Sequence, residues 1–498
     1  MAAVTLSGMR AAEQTALACG WTEEQLLDLA GTRLGGAIAR FFPQSGTVVA
    51  YLGKGHNAGD ALVALKILRD QFGWQVFMRA AFPLGDCAPL TCKKWHELGA
   101  PSPLGGPPAW RDLTRPLVLL DGLLGIGATG ALRQPLSGMA EEMEWLRQNA
   151  GARVAAVDLP SGIDADSGVY TPGTVIADIT FMIGLAKRGL LTAHAANATG
   201  ALALVEVEPL ALPYAGDIDL ISPQTMTFSK SPRPFDFHKG MAGRVSLLAG
   251  SDTYTGAAVL AATGALRGGT GLITLHVPQS AAAAIASRCP PEVMVRGYSS
   301  IAELRDFSAD TWVLGPGIGE LDTKESNILL DILVHLPVPA VIDADALNLI
   351  ARSGSIGILS KQHIITPHPG EFQRLAPDLA SLPREKAART FADRIPATLL
   401  LKGCRTLVTR SGHPLWCNAT GSPGMATGGQ GDLLSGVIGA CLAVGHDPLE
   451  AAAFSAWLCG RAAEIALGRP GLSEESLTPS DVALHLGAAC LDWKNSTR

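Results

Sequence analysis

The feature that most constrains the fold is a repeated alternation of short apolar runs with helix-like segments. The runs at 47–52, 117–120 and 154–157 are rich in Val, Leu and Ala, and Gly or Asp follows each of them directly. Strands that are apolar on both faces and alternate with helices are typical of parallel sheets covered by helices on both sides. The sequence therefore predicts an α/β fold built from three-layer α/β/α domains.

The same alternation occurs in two separate parts of the chain. The chain has 498 residues, which is enough for two large domains. Between the two parts the sequence is rich in Pro, Asp, Ser and Thr and shows no clear periodicity. In the second part, strands are predicted at 244–250, 271–277, 311–315, 340–342, 362–366 and 398–402. We predict a first domain over 1–208, a linker over 209–234 and a second domain over 235–498.

Composition and charge exclude several classes of protein. Hydrophobic residues make up 47% and charged residues 17%, and the net charge of −6 provides no basic surface for nucleic acid or anionic lipid. We find no uninterrupted apolar run of roughly 18 residues, and Arg10, Glu13 and Glu23 interrupt the region where a secretory signal would lie. Nine cysteines without metal-site spacing predict mostly buried thiols in a reducing compartment. We therefore expect a cytoplasmic enzyme that acts on small molecules and has no nucleic-acid or membrane partner.

The first glycine-rich loop, residues 53–60, has the sequence Gly-Lys-Gly-His-Asn-Ala-Gly-Asp. It follows a predicted strand and precedes a helix predicted to begin near Ala61. Glycines allow close backbone approach, and a helix N-terminus presents N–H groups and a positive dipole end to a phosphate. The loop therefore predicts an anion site, while a tight packing turn is the alternative.

Two further loops, 121–130 and 158–166, each begin with an aspartate at the end of a predicted strand. Such carboxylates either bind a ligand or cap the following helix. Asn57, Asp121 and Ser161 carry side-chain oxygens at neighbouring strand ends. Because hard cations prefer oxygen ligands, these three residues form a candidate cation site.

The most specific stretch of the second part is 421–436, which contains Gly-Gln-Gly-Asp at 429–432. This segment opens a predicted helix, whose N–H groups can stabilise charge on a transferred phosphoryl group. Asp432 is a candidate general base, with an ordinary helix cap as the alternative. Lys402 ends a predicted strand and is suited to bind phosphate, and His368 either caps a turn or bonds to substrate.

These motifs resemble those of a known family. GxGxNxGD at 53–60, DGLLGIG at 121–127 and DLPSGIDADSG at 158–168 are similar to the epimerase domain of bifunctional NAD(P)H-hydrate repair enzymes. GPGIG, TPHPGE and GQGD are similar to the ADP/ATP-dependent dehydratase domain of that family, a member of the ribokinase-like superfamily. The resemblance implies a Rossmann-like first domain and a ribokinase-like second domain.

The resemblance also implies site residues in the first domain. It implies catalysis by Asp158, and a potassium ion held by Asn57, Asp121 and Ser161. Contacts with the substrate NAD(P)HX are implied for His56, Asn57, Ala58, Gly59, Asp60, Gly125, Ile126, Gly127, Ala128, Thr129, Gly130, Ala131 and Asp158. The chain departs from the usual family pattern of Asn at position 56 and Gly at positions 58 and 61, and some members have an acidic residue at 131.

For the second domain the resemblance implies catalysis by Asp432 and a requirement for magnesium. Substrate contacts are implied for Ala257, Gly317, His368 and Asp432. ADP or ATP binding is implied for Lys402, Gly403, Cys404, Arg405, Thr406 and Gly431.

The implied function is repair of hydrated nicotinamide nucleotides by a homo-oligomer. The first domain would interconvert R- and S-NAD(P)HX at C6, and the second would convert the S form to NAD(P)H. The alternative is a ribokinase-like small-molecule kinase with a non-catalytic N-terminal binding module. The sequence does not distinguish ADP from ATP, or NADHX from NADPHX.

Overall fold

A computed structural model describes residues 3–99, 107–128, 130–210, 218–226 and 233–496. The chain forms two compact units that divide between Ile218 and Asp219, inside the segment predicted as a linker. Each unit is an α/β structure, so the predicted fold class is confirmed.

The first unit is a parallel sheet with helices on both faces. Its strands are β1 (Thr47–Leu52), β2 (Gln75–Ala80), β3 (Leu117–Gly122), β4 (Arg153–Val157), β5 (Ile179–Ile183) and β6 (Ala201–Val205). Its helices are α1 (Leu6–Ala18), α2 (Glu23–Phe41), α3 (His56–Phe72), α4 (Pro89–Leu98), α5 (Leu136–Ala150) and α6 (Ala196–Thr199). The sheet order is β2-β1-β3-β4-β5-β6, and all neighbours are parallel.

Strand β1 shows why the runs are continuously apolar. Val48 and Ala50 belong to the core on one face of the sheet, and Val49 and Tyr51 belong to the core on the other. The chain passes from β1 to β2 on one side and then to β3 on the other side of β1. The strand order therefore reverses between β1 and β3, and the loops after these strands lie at the carboxyl edge of the sheet, where open α/β sheets bind ligands.

The second unit contains a larger sheet, whose strands also alternate with helices along the chain. Its strands are β7 (Ile218–Leu220), β8 (Arg244–Leu248), β9 (Leu272–Pro278), β10 (Val293–Tyr298), β11 (Thr311–Leu314), β12 (Ala340–Ile342), β13 (His363–Ile365), β14 (Thr398–Leu401), β15 (Leu407–Thr409) and β16 (Leu415–Cys417). Its helices are α7 (Thr255–Gly268), α8 (Ala282–Ala286), α9 (Thr323–His335), α10 (Ala344–Ser353), α11 (Pro369–Leu375), α12 (Arg384–Ala392), α13 (Gln430–Ala443), α14 (Pro448–Leu467) and α15 (Pro479–Ser496).

The strand order of this sheet is β10-β9-β8-β11-β12-β13-β14-β15-β16-β7. Strands β8 to β14 are parallel to one another, whereas β15 is antiparallel to both β14 and β16. The order reverses between β8 and β11, so the loops after these two strands mark the expected ligand site.

Helices α7 and α13 pack closely through small residues. A Cβ on Gly264 would lie 2.2 Å from the Leu433 carbonyl oxygen, and a Cβ on Gly268 would lie 2.6 Å from the Ala440 Cβ. Contacts advance in the same direction along both helices, so their N-terminal ends lie on the same side. This packing places the start of α13 at the carboxyl edge of the sheet.

Three sequence predictions need correction. Helix α3 begins at His56 rather than near Ala61, because tight packing of Ala58 in the core outweighs the weak helix propensity of this turn. The 209–234 segment contributes strand β7 to the second sheet. All nine cysteines are free thiols, but only Cys417, Cys441 and Cys459 are buried.

The length and polarity of the helices bear on whether any of them could cross a membrane. Within the part of the chain that the structure describes, every helix is too short or too polar to traverse a lipid bilayer.

Candidate active sites

The loops after β1 and β3 touch each other at the carboxyl edge of the first sheet. A Cβ on Gly53 would lie 1.8 Å from the Leu123 carbonyl oxygen, so only glycine permits this approach. The side-chain amide of Asn57 donates a hydrogen bond to the Leu124 carbonyl at 2.9 Å. A Cβ on Gly125 would lie 3.4 Å from the Asn57 Cβ, so the structure places the start of the second predicted segment beside the N-terminus of α3.

An oxygen-rich cluster links the three residues predicted to hold potassium. The buried Asp121 carboxylate accepts bonds from the Ser161 hydroxyl and the Ser161 N–H, each at 2.7 Å. The Leu124 N–H donates to the Ser161 hydroxyl at 2.9 Å, while the Leu124 carbonyl accepts from Asn57. Asn57 and Ser161 therefore both bind the backbone of Leu124 in the second loop, and Asp121 joins this cluster through Ser161.

The electrostatics of this cluster favour a cation. In the described residues, the hydrogen bonds to Asp121 all come from the uncharged groups of Leu123 and Ser161. Burial raises the pKa of Asp121 to about 6, although these bonds lower it. A hard cation bound to this buried carboxylate would stabilise its ionised form.

The predicted catalytic residue Asp158 forms a buried ion pair. It follows β4 with a φ of 69°, a conformation that costs energy in any residue except glycine and is common at functional sites. Its Oδ1 accepts bonds from the Ile183 N–H at 2.9 Å and from the Lys187 ammonium. Lys187 also donates to the Ile183 carbonyl at 2.6 Å. Sequence reasoning missed Lys187, although a single lysine in the apolar stretch after β5 was an available signal.

Two more carboxyl groups, those of Asp60 and Glu13, interact electrostatically with Asp158 and Lys187. Burial raises the pKa of Asp60 well above its ordinary value, and the charge of Asp158 raises it further while Lys187 lowers it. Burial also raises the pKa of Glu13, against the opposing effect of Lys187. Glu13 lies on α1, where nothing in the sequence indicated a place beside the site.

The other residues predicted for the first site differ in their exposure. The side chain of Ala58 is fully buried and packs in the core, so it does not occupy the ligand side of the loop. His56, Gly127, Gly130 and Ala131 are exposed, and Ile126 and Ala128 are partly buried. Thr129 lies outside the described residues.

The second site is built around the buried carboxylate of Asp343, directly after β12. Lys402 donates to its Oδ1 at 2.7 Å, and the Ser435 hydroxyl donates to its Oδ2 at 2.8 Å. A Cβ on Gly431 would lie 3.2 Å from the Lys402 Nζ. Asp343 therefore joins the end of β14 to the first turns of α13, and Lys402 lies beside the glycine motif.

Asp432 lies in the first turn of α13 and has an unusual protonation equilibrium. Burial, followed by repulsion from Asp343, raises the pKa of Asp432 to about 7, while Lys402 lowers it. A carboxylate that titrates near neutral pH is suited to accept a proton from a hydroxyl group. The helix cap at this end is Gly429, so Asp432 is not the N-cap.

The remaining predicted substrate residues lie on loops of the same sheet edge. Gly317 has a φ of 61°, and a Cβ on it would lie 2.6 Å from the Ala257 Cβ, so the loop after β11 touches the start of α7. His368 caps α11 through Nδ1, which accepts from the Gly370 N–H at 3.0 Å. The exposed His368 ring also places Nε2 3.4 Å from Glu371, which lies 3.8 Å from Lys402.

The segment predicted to bind nucleotide is held by a residue that sequence reasoning missed. The Arg384 guanidinium donates to the carbonyls of Leu401, Lys402, Cys404 and Arg405 over 2.6–3.0 Å. Gly403 and Cys404 are exposed, and the Thr406 hydroxyl donates to the Gly403 carbonyl at 2.9 Å. The segment is thus a fixed, partly exposed loop.

Arg405 differs from the prediction in one respect. Its side chain is buried and donates to the Ala419 carbonyl at 3.1 Å. The backbone at this position has a φ of 55°.

Comparison with known proteins identifies the family. A bifunctional NAD(P)H-hydrate repair enzyme from Gloeobacter violaceus is 34% identical over 494 residues, covering 93% of this chain and 94% of that protein. This chain belongs to the family of bifunctional NAD(P)H-hydrate repair enzymes. The resemblance inferred from the motifs is confirmed.

Two family models match the two parts of this family member separately. Residues 23–189 match the model described as YjeF-related protein N-terminus, and residues 245–483 match the model described as NAD(P)H-hydrate dehydratase. A ribokinase-like superfamily protein from Enterococcus faecalis is 26% identical, with a TM-score of 0.50, over 57% of this chain and 99% of that chain. The Bacillus subtilis ADP/ATP-dependent NAD(P)H-hydrate dehydratase, co-crystallised with ATP and Mg²⁺, is 26% identical with a TM-score of 0.48 over 56% and 100%.

Proposed function

We propose that this member of the repair-enzyme family restores hydrated NADH and NADPH in two steps. The first unit interconverts R- and S-NAD(P)HX at C6, and the second unit converts the S form to NAD(P)H. The observation that best supports this proposal is the placement of Asp432, titrating near neutrality, beside Lys402 and the N-terminus of α13. That arrangement joins a base to a phosphate site on a chain of this family.

The chemistry of dehydration follows from this placement. The C6 hydroxyl is a poor leaving group, so it must first be phosphorylated. Asp432 takes the hydroxyl proton while the oxygen attacks the terminal phosphorus of the nucleotide, and the N–H groups of α13 stabilise the phosphoryl charge. The ring nitrogen then expels inorganic phosphate as the C6–O bond breaks, and loss of a proton from C5 completes NAD(P)H. The nucleotide product is AMP from ADP, or ADP from ATP.

Lys402 and the loop 403–406, with Gly431, are proposed to hold the nucleotide phosphates. Although burial by itself lowers the pKa of Lys402, Asp343 and Glu371 raise it above the ordinary value, so this lysine stays charged. Magnesium is proposed to accompany the phosphates, where it would neutralise their charge. Among the described residues, no cluster of three or more His, Cys, Asp or Glu side chains is placed to hold a metal ion.

Epimerisation at C6 requires one bond of that carbon to break and re-form. Asp60, which its surroundings favour as the neutral acid, donates a proton so that the hydroxyl leaves as water while the ring nitrogen forms an iminium ion. Water then adds to the other face of C6, and Asp158 accepts its proton. A proton passing between these neighbouring carboxyl groups restores the starting state.

Potassium is proposed to bind Asn57, Asp121 and Ser161. The fit rests on the buried Asp121 carboxylate, whose described hydrogen-bond donors are uncharged. A bound cation would neutralise that charge and fix the two glycine loops against each other. A cytoplasmic location and a homo-oligomeric state stay predictions of the sequence.

The test is to incubate the full chain with a mixture of R- and S-NADHX and either ADP or ATP. We expect complete conversion of both epimers, with inorganic phosphate released in step with the absorbance of reduced nicotinamide. A ribokinase-like kinase would instead accumulate a phosphorylated product without free phosphate. Conversion that stops when the S form is consumed would refute the epimerase half.

A further inference from the structure

Lys187 is a buried cation of the first unit that the proposed chemistry leaves unused. Its side chain is 1% exposed, and its ammonium lies between the Asp158 carboxylate and the Ile183 carbonyl. The backbone around Lys187 is held by Val4, which precedes α1 and forms a β-bridge with Lys187. The Val4 N–H donates to the Ala186 carbonyl at 2.8 Å, and the Val4 carbonyl accepts from the Arg188 N–H at 2.9 Å. A lysine held this firmly can fix the group it binds.

The hydrogen bonds on Asp158 are strongly one-sided. Those that the described part of the chain makes to its carboxylate, from Ile183 and Lys187, both end on Oδ1. The backbone N–H of Asp158 donates to the Phe181 carbonyl at 2.9 Å, which ties the residue to β5. The carboxylate is thus anchored through one oxygen, and Oδ2 is left for a ligand.

We propose that Lys187 is a positioning residue of the epimerase site, which orients the Asp158 carboxylate so that Oδ2 meets the water that adds to C6 of the hydrated nucleotide. This inference rests on the proposed epimerase function. The ammonium also compensates the carboxylate charge in a region shared with Asp60 and Glu13, where it lowers the pKa of both. Without Lys187, the carboxyl groups of Asp158, Asp60 and Glu13 would lose the positive charge that offsets their mutual repulsion.

The test is a double-mutant cycle on epimerisation, measured without nucleotide so that the dehydratase is idle. The rate of conversion of pure R-NADHX to the S form is followed by chromatography for wild type, Asp158→Asn, Lys187→Met and the double variant. A misplaced catalytic group costs on the order of 100-fold in rate. We expect each single variant to lose about that factor in kcat, with a much smaller change in KM.

The double variant separates positioning from a merely structural role. If Lys187 acts through Asp158, the double variant has the kcat of Asp158→Asn alone, because the group to be positioned is already gone. A double variant that is a further 10-fold or more slower than Asp158→Asn overturns the inference. Comparison of these two variants stays informative if Lys187→Met alone fails to fold, since the double variant contains no unpaired buried charge.

Lys93→Met is the matched control. Lys93 belongs to the same unit and pairs with Glu24 at 2.7 Å, but its side chain is half exposed. It should keep the wild-type kcat. Wild type without any epimerisation would refute the proposed function itself, whereas active wild type with equally active Lys187→Met refutes only the role of Lys187.

Discussion

The dehydratase rate should fall below neutral pH because Asp432 must be ionised to accept the hydroxyl proton. With a pKa of about 7, Asp432 is half ionised at pH 7 and about one-tenth ionised at pH 6. We therefore expect kcat/KM for S-NADHX to fall about fivefold between pH 7 and pH 6 and to rise at most about twofold above pH 7. An aspartate at its ordinary pKa would produce no change over this range.

Asp343→Asn provides the decisive comparison. Repulsion from Asp343 raises the pKa of Asp432, so its removal should lower that pKa and move the half-maximal rate to lower pH. Lys402, freed from Asp343, pulls in the same direction. Terminal phosphates also titrate near pH 6, but that contribution is common to both proteins and cancels in the comparison. The shift of the pH midpoint is measured from initial rates of NADH formation between about pH 5.5 and pH 8, with saturating nucleotide for both wild type and Asp343→Asn. An unchanged midpoint in Asp343→Asn would refute Asp432 as the base.

Three further predictions concern packing, acid stability and the cation. Gly436→Ala should destabilise the second unit by about 1 to 3 kcal/mol in urea unfolding, because its Cβ would lie 1.9 Å from the Ala261 carbonyl oxygen. The control Gly487→Ala, with nothing within 4 Å, should be neutral or stabilising. Burial lowers the pKa of His276 to about 4, so its contribution to stability is present above pH 6.5 and lost as the pH falls toward 4. His276→Phe should therefore gain about 2 kcal/mol relative to wild type between pH 7 and pH 5, and an equal loss in both proteins would contradict this. Replacing potassium with lithium should slow epimerisation and spare dehydration of the S form, whereas equal epimerisation rates would remove the ion from the Asp121 site.

The sequence was sufficient for the fold class and for the edges where the sites lie. Apolar runs followed by Gly, Pro, Asp or His marked the carboxyl ends of β1, β3, β4, β8 and β11 to β14, because parallel strands buried on both faces have a strong local pattern. The convergence of Asn57, Asp121 and Ser161 followed from this, since the loops of neighbouring parallel strands share one edge. Strands such as β5, β15 and β16 were missed because their pattern is short or interrupted.

Contacts between distant segments could not be predicted. Lys187 reaches Asp158 across 29 positions, and Lys402 reaches Asp343 across 59. Arg384 binds four carbonyls of the nucleotide loop from α12, whose sequence has no motif. Such partners depend on strand order and side-chain direction, which local periodicity does not encode. The raised pKa of Asp432 likewise results from burial and, after it, from the charge of Asp343, and only folding produces both.

The most direct test of the two-site proposal is Asp432→Asn with mixed R- and S-NADHX and ADP or ATP. Asn is nearly isosteric with Asp, and Gly429 caps α13, so the fold and nucleotide binding should persist. Loss of the general base should lower dehydration by ~10²- to 10⁴-fold. Epimer exchange, assigned to Asp158 in the other unit, should continue at the wild-type rate. Dehydration of the S form at near wild-type rate, or loss of both activities in a folded variant, would contradict the proposal.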